Sequence, residues 1–118
     1  MEITSGGTPG PRLADHLAVL DNNVYGRLPH APRAAVLAEM FVRAGWSARA
    51  SSWTEFEVEH EWVRIELAEA SPTDRLFSGV VDPSRVAELG AVFADLDLRY
   101  SIELWSDDRT SLLRELAG

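Results

Sequence analysis

The sequence predicts an α+β domain in which two N-terminal helices pack on a small mixed sheet of four or five strands, with a strand-helix-strand unit in the C-terminal half. Three observations carry this expectation. Residues 53–67, WTEFEVEHEWVRIEL, alternate apolar and charged side chains with the period of two that a strand requires. Residues 11–25, 32–44 and 86–96 repeat apolar side chains at spacings of three and four, the period of a helix face. Residues 76–81 and 99–105 return to β character on either side of the last helical stripe, which is long enough to cross between parallel strands.

In chain order, residues 1–10 hold Gly6, Gly7, Pro9 and Gly10 and read as a lead-in without a packing role, leaving a single domain over 11–118. Leu13, Leu17, Leu20 and Val24 then form one helical face, and GRLPHAP connects it to a second helix. That helix starts near Pro32, continues through Val36, Leu37, Met40, Phe41 and Ala44, and stops at Gly45. Residues 46–52 read as a short strand, residues 53–67 as a β-hairpin, and residues 69–75 as a loop. In the apolar run 76–81, Gly79 marks a bulge or a close backbone approach. Asp82-Pro83-Ser84 is a helix start, with Asp82 as the cap and Pro83 at the first helical position. Residues 99–105 alternate as a strand, and the tail RTSLLREL favours a short helix over a return strand because Leu112, Leu113 and Leu116 are helix formers at helical spacing.

The totals narrow the chemistry. The chain has 118 residues, enough for one self-sufficient core, and no cysteine, which excludes disulfides, thiolate metal sites and cysteine nucleophiles together. All eleven basic residues are Arg, a composition expected of a GC-rich bacterial genome. Net charge is −8, and residues 1–50 carry five Arg against four acids, so the acidity belongs to residues 51–118 with six Arg against fifteen acids. Such a field repels nucleic acid and anionic lipid and attracts cationic partners. No basic start followed by an apolar run opens the chain, so a cytoplasmic location without membrane attachment is the expectation.

Catalytic and metal motifs are absent. There is no G-x-S-x-G, phosphate loop, HExxH or calcium loop, and His60 points away from its neighbours Glu59 and Glu61 on a strand, so no cofactor or metal is expected. The one dense constellation is Glu55, Glu57 and Glu59, whose carboxylates repeat at roughly 6.5 to 7 Å along a strand face, with Arg64 and Glu66 on the same face of the partner strand. Trp53 shares the parity of these Glu residues, Trp62 sits at the hairpin turn and Trp105 falls on the strand face opposite Tyr100 and Ile102, and large aromatics rimmed by charge are the anchors of protein interfaces. The expected partner-binding residues are therefore Trp53, Glu55, Glu57, Glu59, Trp62, Glu66 and Trp105. The expected role is a non-enzymatic binding module for a basic protein partner, fitting a bacterial immunity or antitoxin-like inhibitor in size, acidity and lack of motifs. Two alternatives are a small enzyme or ligand-binding protein of secondary metabolism, with a pocket between helices and sheet, and a structural subunit forming a homodimer through its aromatic face.

Overall fold

The computed structural model describes residues 2–118. Among them one seven-stranded sheet runs in the order β2-β3-β4-β5-β1-β6-β7, with β1 Val24–Pro29, β2 Ser47–Ala50, β3 Phe56–His60, β4 Val63–Glu69, β5 Asp74–Val81, β6 Ser101–Trp105 and β7 Leu112–Ala117. Helices are few: a single turn α1 at Asp15–Ala18, α2 at Ala34–Arg43, and α3 at Val86–Asp95 entered through a 3-10 turn at Pro83–Arg85. Every neighbouring strand pair is antiparallel. The expected two N-terminal helices on a four- or five-stranded mixed sheet are therefore corrected on three counts.

The first correction concerns residues 11–25. Leu13 and Leu17 pack with Val80 in a small cluster on one side of the sheet, whereas Val24 belongs to the main core on the other. Side chains at helical spacing thus serve two separate cores, which no single helix could do. The buried Asn23 side chain also pairs with the main chain of Val81 in both directions, its Nδ2 donating to the carbonyl and its Oδ1 accepting from the amide, each at 2.9 Å. This bond starts β1 where the helix was expected to continue, in the way Asn side chains compete with helix formation.

The second correction follows from the first. The strand-helix-strand unit is present, since β5 and β6 both run antiparallel to β1 and are thus parallel to each other. The two are not hydrogen-bonded neighbours, because β1 lies between them. A parallel pairing in sequence order becomes an antiparallel sheet by the insertion of one strand.

The third is the tail, which is strand β7 rather than helix and pairs with β6, Ile102 facing Leu116. Asp108 does not cap a helix. Its carboxylate accepts from the Ser106 and Thr110 hydroxyls at 2.7 Å and from the Thr110 amide at 3.1 Å, closing the β6–β7 turn. Residues 3–8 also differ from a lead-in without packing: Ile3 packs against the core, and Thr4 and Thr8 hydrogen-bond to β2.

Other local expectations hold. The β3–β4 hairpin turns through Glu61-Trp62, and α2 stops before Gly45, whose φ of 98° is one glycine tolerates best. Asp82 accepts from the Ser84 amide, and its carboxyl is held below its ordinary value chiefly by the Ser84 hydroxyl. Helices α2 and α3 cover one sheet face, where Phe41 and Phe93 meet edge to face at 6.2 Å in one core with Leu89 of α3 and with Ile65 and Leu67 of β4. Burying each such side chain contributes about 1.5–3 kcal/mol.

Gly79 marks a close approach, as its place in the sequence suggested. A Cβ there would overlap the Arg64 carbonyl oxygen on β4, so β4 and β5 could not keep their spacing. Gly79→Ala is expected to lower stability by about 3 kcal/mol. Gly45→Ala, which meets open space but a left-handed backbone, should cost about 1 kcal/mol. Urea denaturation midpoints of both variants check the ranking. A second expectation concerns acid: the Ser106 hydroxyl, then Thr110, lowers the Asp108 carboxyl from 3.8 to about 2. Because the folded value is depressed, the contribution of this turn is complete above pH 3.8 and is lost as pH falls toward about 2. The Asp108 carboxyl carbon, followed by NMR, should titrate near the lower value, and in Thr110→Val it should move back up.

Candidate functional site

The face of the sheet away from α2 and α3 is covered only at one end, where Leu13, Leu17 and Leu20 lie over Val80. Elsewhere it is a groove of about 890 Å³. Cross-strand register explains its shape. One row of directly opposed residues crosses the sheet as Arg49, Glu57, Glu66, Ser78, Tyr25, Glu103 and Glu115. The next row carries Ala68, Leu76, Arg27, Ser101 and Ala117. Small side chains at Ala68, Ser78, Ser101 and Ala117 form the floor, and carboxylates rise at both sides. A smaller polar depression lined by Glu57, Arg64 and Glu66 continues the groove toward β3.

Within this row Glu57 faces Glu66 on adjacent strands, and Glu103 faces Glu115. The two pairs flank Ser78 and Tyr25, and Glu66 stands three strands from Glu103, roughly 14 Å along the sheet. Like charges in directly opposed positions destabilise a sheet. Glu57 is partly relieved by Arg49, whose Nε donates to Oε1 at 3.0 Å, and that hydrogen bond followed by the Glu57 charge raises the Arg49 guanidinium above its ordinary value. Among the described residues no ion pair is made by Glu66, Glu103 or Glu115. Trp105 donates its indole N–H to Glu103 at 3.4 Å, a neutral partner that leaves the charge in place.

The seven residues expected from the sequence fall into distinct places. Glu66 lies in the groove, and Glu55 lines its rim just before β3, held by the Ser52 hydroxyl at 3.1 Å. Glu57 lies on the same face in the smaller depression. Glu59 shares that face but is committed to the fold: it accepts from the Leu13 amide at 2.9 Å and from Arg12 at 3.2 Å, pinning the N-terminal segment over Val80. Trp53 is 100% exposed at the tip of the β2–β3 loop. Trp62 lies apart from them, only 6% exposed on the helix side with Trp46 at 5.8 Å and the Arg85 guanidinium over its ring at 4.9 Å. Trp105 stands half-buried beside Glu103.

The hairpin itself is not an exposed edge, since β2 flanks β3 and β5 flanks β4. Its carboxylates form one wall of a groove whose other wall is Glu103 and Glu115. These two, with Tyr25 and Arg27, were missed because Tyr25 was assigned to a helix end and Glu115 to a helical tail. The alternation of Glu103 between Ile102 and Leu104 was visible, but only the register sets it opposite Glu115.

Among the described residues no three His, Asp or Glu side chains converge as metal ligands, and no described helix is long and apolar enough to cross a membrane. Comparison with protein-family models, curated proteins and solved structures finds no match to the chain.

The roles of Glu59 and Glu66 separate by experiment. Glu59→Ala is expected to cost about 1–2 kcal/mol and to speed hydrogen exchange at the Leu13 amide, because a half-buried donor loses its acceptor. Glu66→Ala should leave that exchange rate unchanged.

Proposed function

We propose that this chain is a non-enzymatic binding module that takes a basic partner protein onto its helix-free face, as a small acidic inhibitor of the immunity or antitoxin kind would. The observation that carries the reading is the pair of opposed carboxylate couples, Glu57 with Glu66 and Glu103 with Glu115, on the walls of an uncovered groove. Each couple costs the isolated fold some stability, and a guanidinium or ammonium group between the walls would recover it. The groove floor of small and apolar side chains supplies shape, and Trp53 beside the Glu55 rim supplies an exposed aromatic anchor of the type that dominates binding energy.

The rival reading of an enclosed ligand pocket between helices and sheet gains no support. Both grooves described above are on the other face, and the space beneath α2 and α3 is filled by Phe41, Phe93, Ile65 and Leu67.

A trade between stability and binding follows. Glu66→Gln and Glu103→Gln each remove one like-charge contact and are expected to raise stability by about 0.2–1 kcal/mol, read from urea midpoints. The same variants should bind octa-arginine more weakly than the parent chain, and the double reversal Glu66→Lys with Glu103→Lys should weaken it at least about tenfold, or 1.4 kcal/mol. Affinity measured by calorimetry should fall as salt rises. Unchanged stability in the Gln variants together with salt-insensitive binding would remove the reading.

A further inference from the structure

The two edges of the sheet are treated differently. At β2 the main chain is already occupied: the Thr8 amide donates to the Ala48 carbonyl at 2.8 Å, the Ala48 amide donates to the Thr8 hydroxyl at 2.9 Å, and the Ala50 amide donates to the Thr4 carbonyl at 3.0 Å. The β7 edge has no such cover. Tyr100 and Gly118 exchange both main-chain bonds, at 3.1 and 3.0 Å, so the alternation of an antiparallel ladder turns the amides and carbonyls of Glu115 and Ala117 outward. Among the described residues none bonds to those outward groups.

Protection of β7 as a free edge is partial: Arg114 and Glu115 carry charge and a register shift falls at its start opposite Leu104 and Trp105, but the strand is six residues long with no proline, and Leu112 and Leu113 are 42% and 56% exposed. A long, partly apolar, unpaired edge is a template for another strand. Its chemistry specifies which strand. Glu115 is the last member of the row Tyr25, Glu103, Glu115, so a strand laid beside β7 would set the Cβ of one of its residues about 5 Å from the Glu115 Cβ on the groove side. A basic residue there meets a carboxylate couple with no ion pair of its own. Two positions along, opposite Ala117, the neighbour is small and uncharged.

We infer that the basic partner enters as an extended segment that adds an eighth strand at β7, its main chain paired with Glu115 and Ala117 and an Arg or Lys side chain set against the Glu103–Glu115 couple. This rests on the binding reading above and specifies how the partner is held. Main-chain pairing gives the segment its place, and the charge row selects a cationic strand over an acidic one.

The test uses the full chain and two synthetic octapeptides, one alternating Arg and Val and one alternating Glu and Val. The Arg-Val peptide is expected to slow hydrogen exchange at the Glu115 and Ala117 amides at least about tenfold, and the Glu-Val peptide to leave it unchanged. Ala117→Pro removes an outward N–H without breaking the β6–β7 ladder and should weaken the Arg-Val peptide at least about tenfold. If that variant does not fold, as judged by circular dichroism, the exchange rates of the parent chain decide alone. Binding of the Arg-Val peptide without protection of those two amides overturns the inference and leaves the groove as the docking place, so that the binding reading survives. Absence of binding by that peptide, together with octa-arginine failing to bind, overturns both. Concentration-dependent protection of the same amides with no peptide present assigns the edge to a second copy of the chain and also overturns the inference.

Discussion

The architecture depends on β1 entering the sheet out of sequence order. It lies between β5 and β6, and without it those two strands would share no neighbour and the sheet would divide into β2 to β5 and β6 to β7. What sets β1 there is local and polar. Asn23 satisfies both main-chain groups of Val81 while its own amide donates to the Gly79 carbonyl at 2.9 Å, so three bonds fix the start of β1 against the end of β5. Leaving such groups unpaired in the core would cost about 1–3 kcal/mol for each. The register that follows places Val24 and Leu28 in the core and Tyr25 and Arg27 on the open face.

That register also creates the groove. Tyr25 stands between Ser78 and Glu103 because β1 is inserted between β5 and β6, and Glu66 is separated from Glu103 because β5 and β1 stand between them. The helix face and the open face consequently follow different rules. Under α2 and α3, apolar side chains interlock and no buried side-chain N or O among the described residues lacks a hydrogen-bond partner. On the open face carboxylates are set directly against carboxylates. A sheet selected for stability alone would alternate signs there, as Arg49 and Glu57 do at one end. The satisfied core and the like-charge rows of the open face thus follow opposite rules within one sheet.

Much of the fold could be read from the sequence wherever local pattern and tertiary environment agree. WTEFEVEHEWVRIEL is a hairpin because its alternation matches a sheet with one buried face, and Asp82-Pro83 opens a helix because capping needs only neighbouring atoms. The reading failed where one segment serves two environments. Leu13, Leu17, Leu20 and Val24 look like one helical stripe, but the first three face Val80 and the last faces the core. In the tail, helix propensity at Leu112, Leu113 and Leu116 lost to the turn closed by Asp108, whose side chain can cap a helix or a hairpin with the same oxygen. The candidate site was half legible for a related reason: its β3–β4 wall lies in contiguous sequence, whereas its β6–β7 wall exists only through pairing.

Glu59 and Glu66 show why composition cannot assign such roles. Both face the same side of the same hairpin in a run of alternating acids. Beside Glu59, the N-terminal segment brings the Arg12 guanidinium and the Leu13 amide, so the carboxylate is consumed as an acceptor and holds a strap of chain in place. Beside Glu66 the cross-strand neighbours are Glu57 and Ser78, and among the described residues no guanidinium comes within ion-pair distance of it. The difference is set by which segments cross the open face. Where the N-terminal segment covers the sheet, acidity stabilises the fold; where the cover ends, the same acidity faces the open groove.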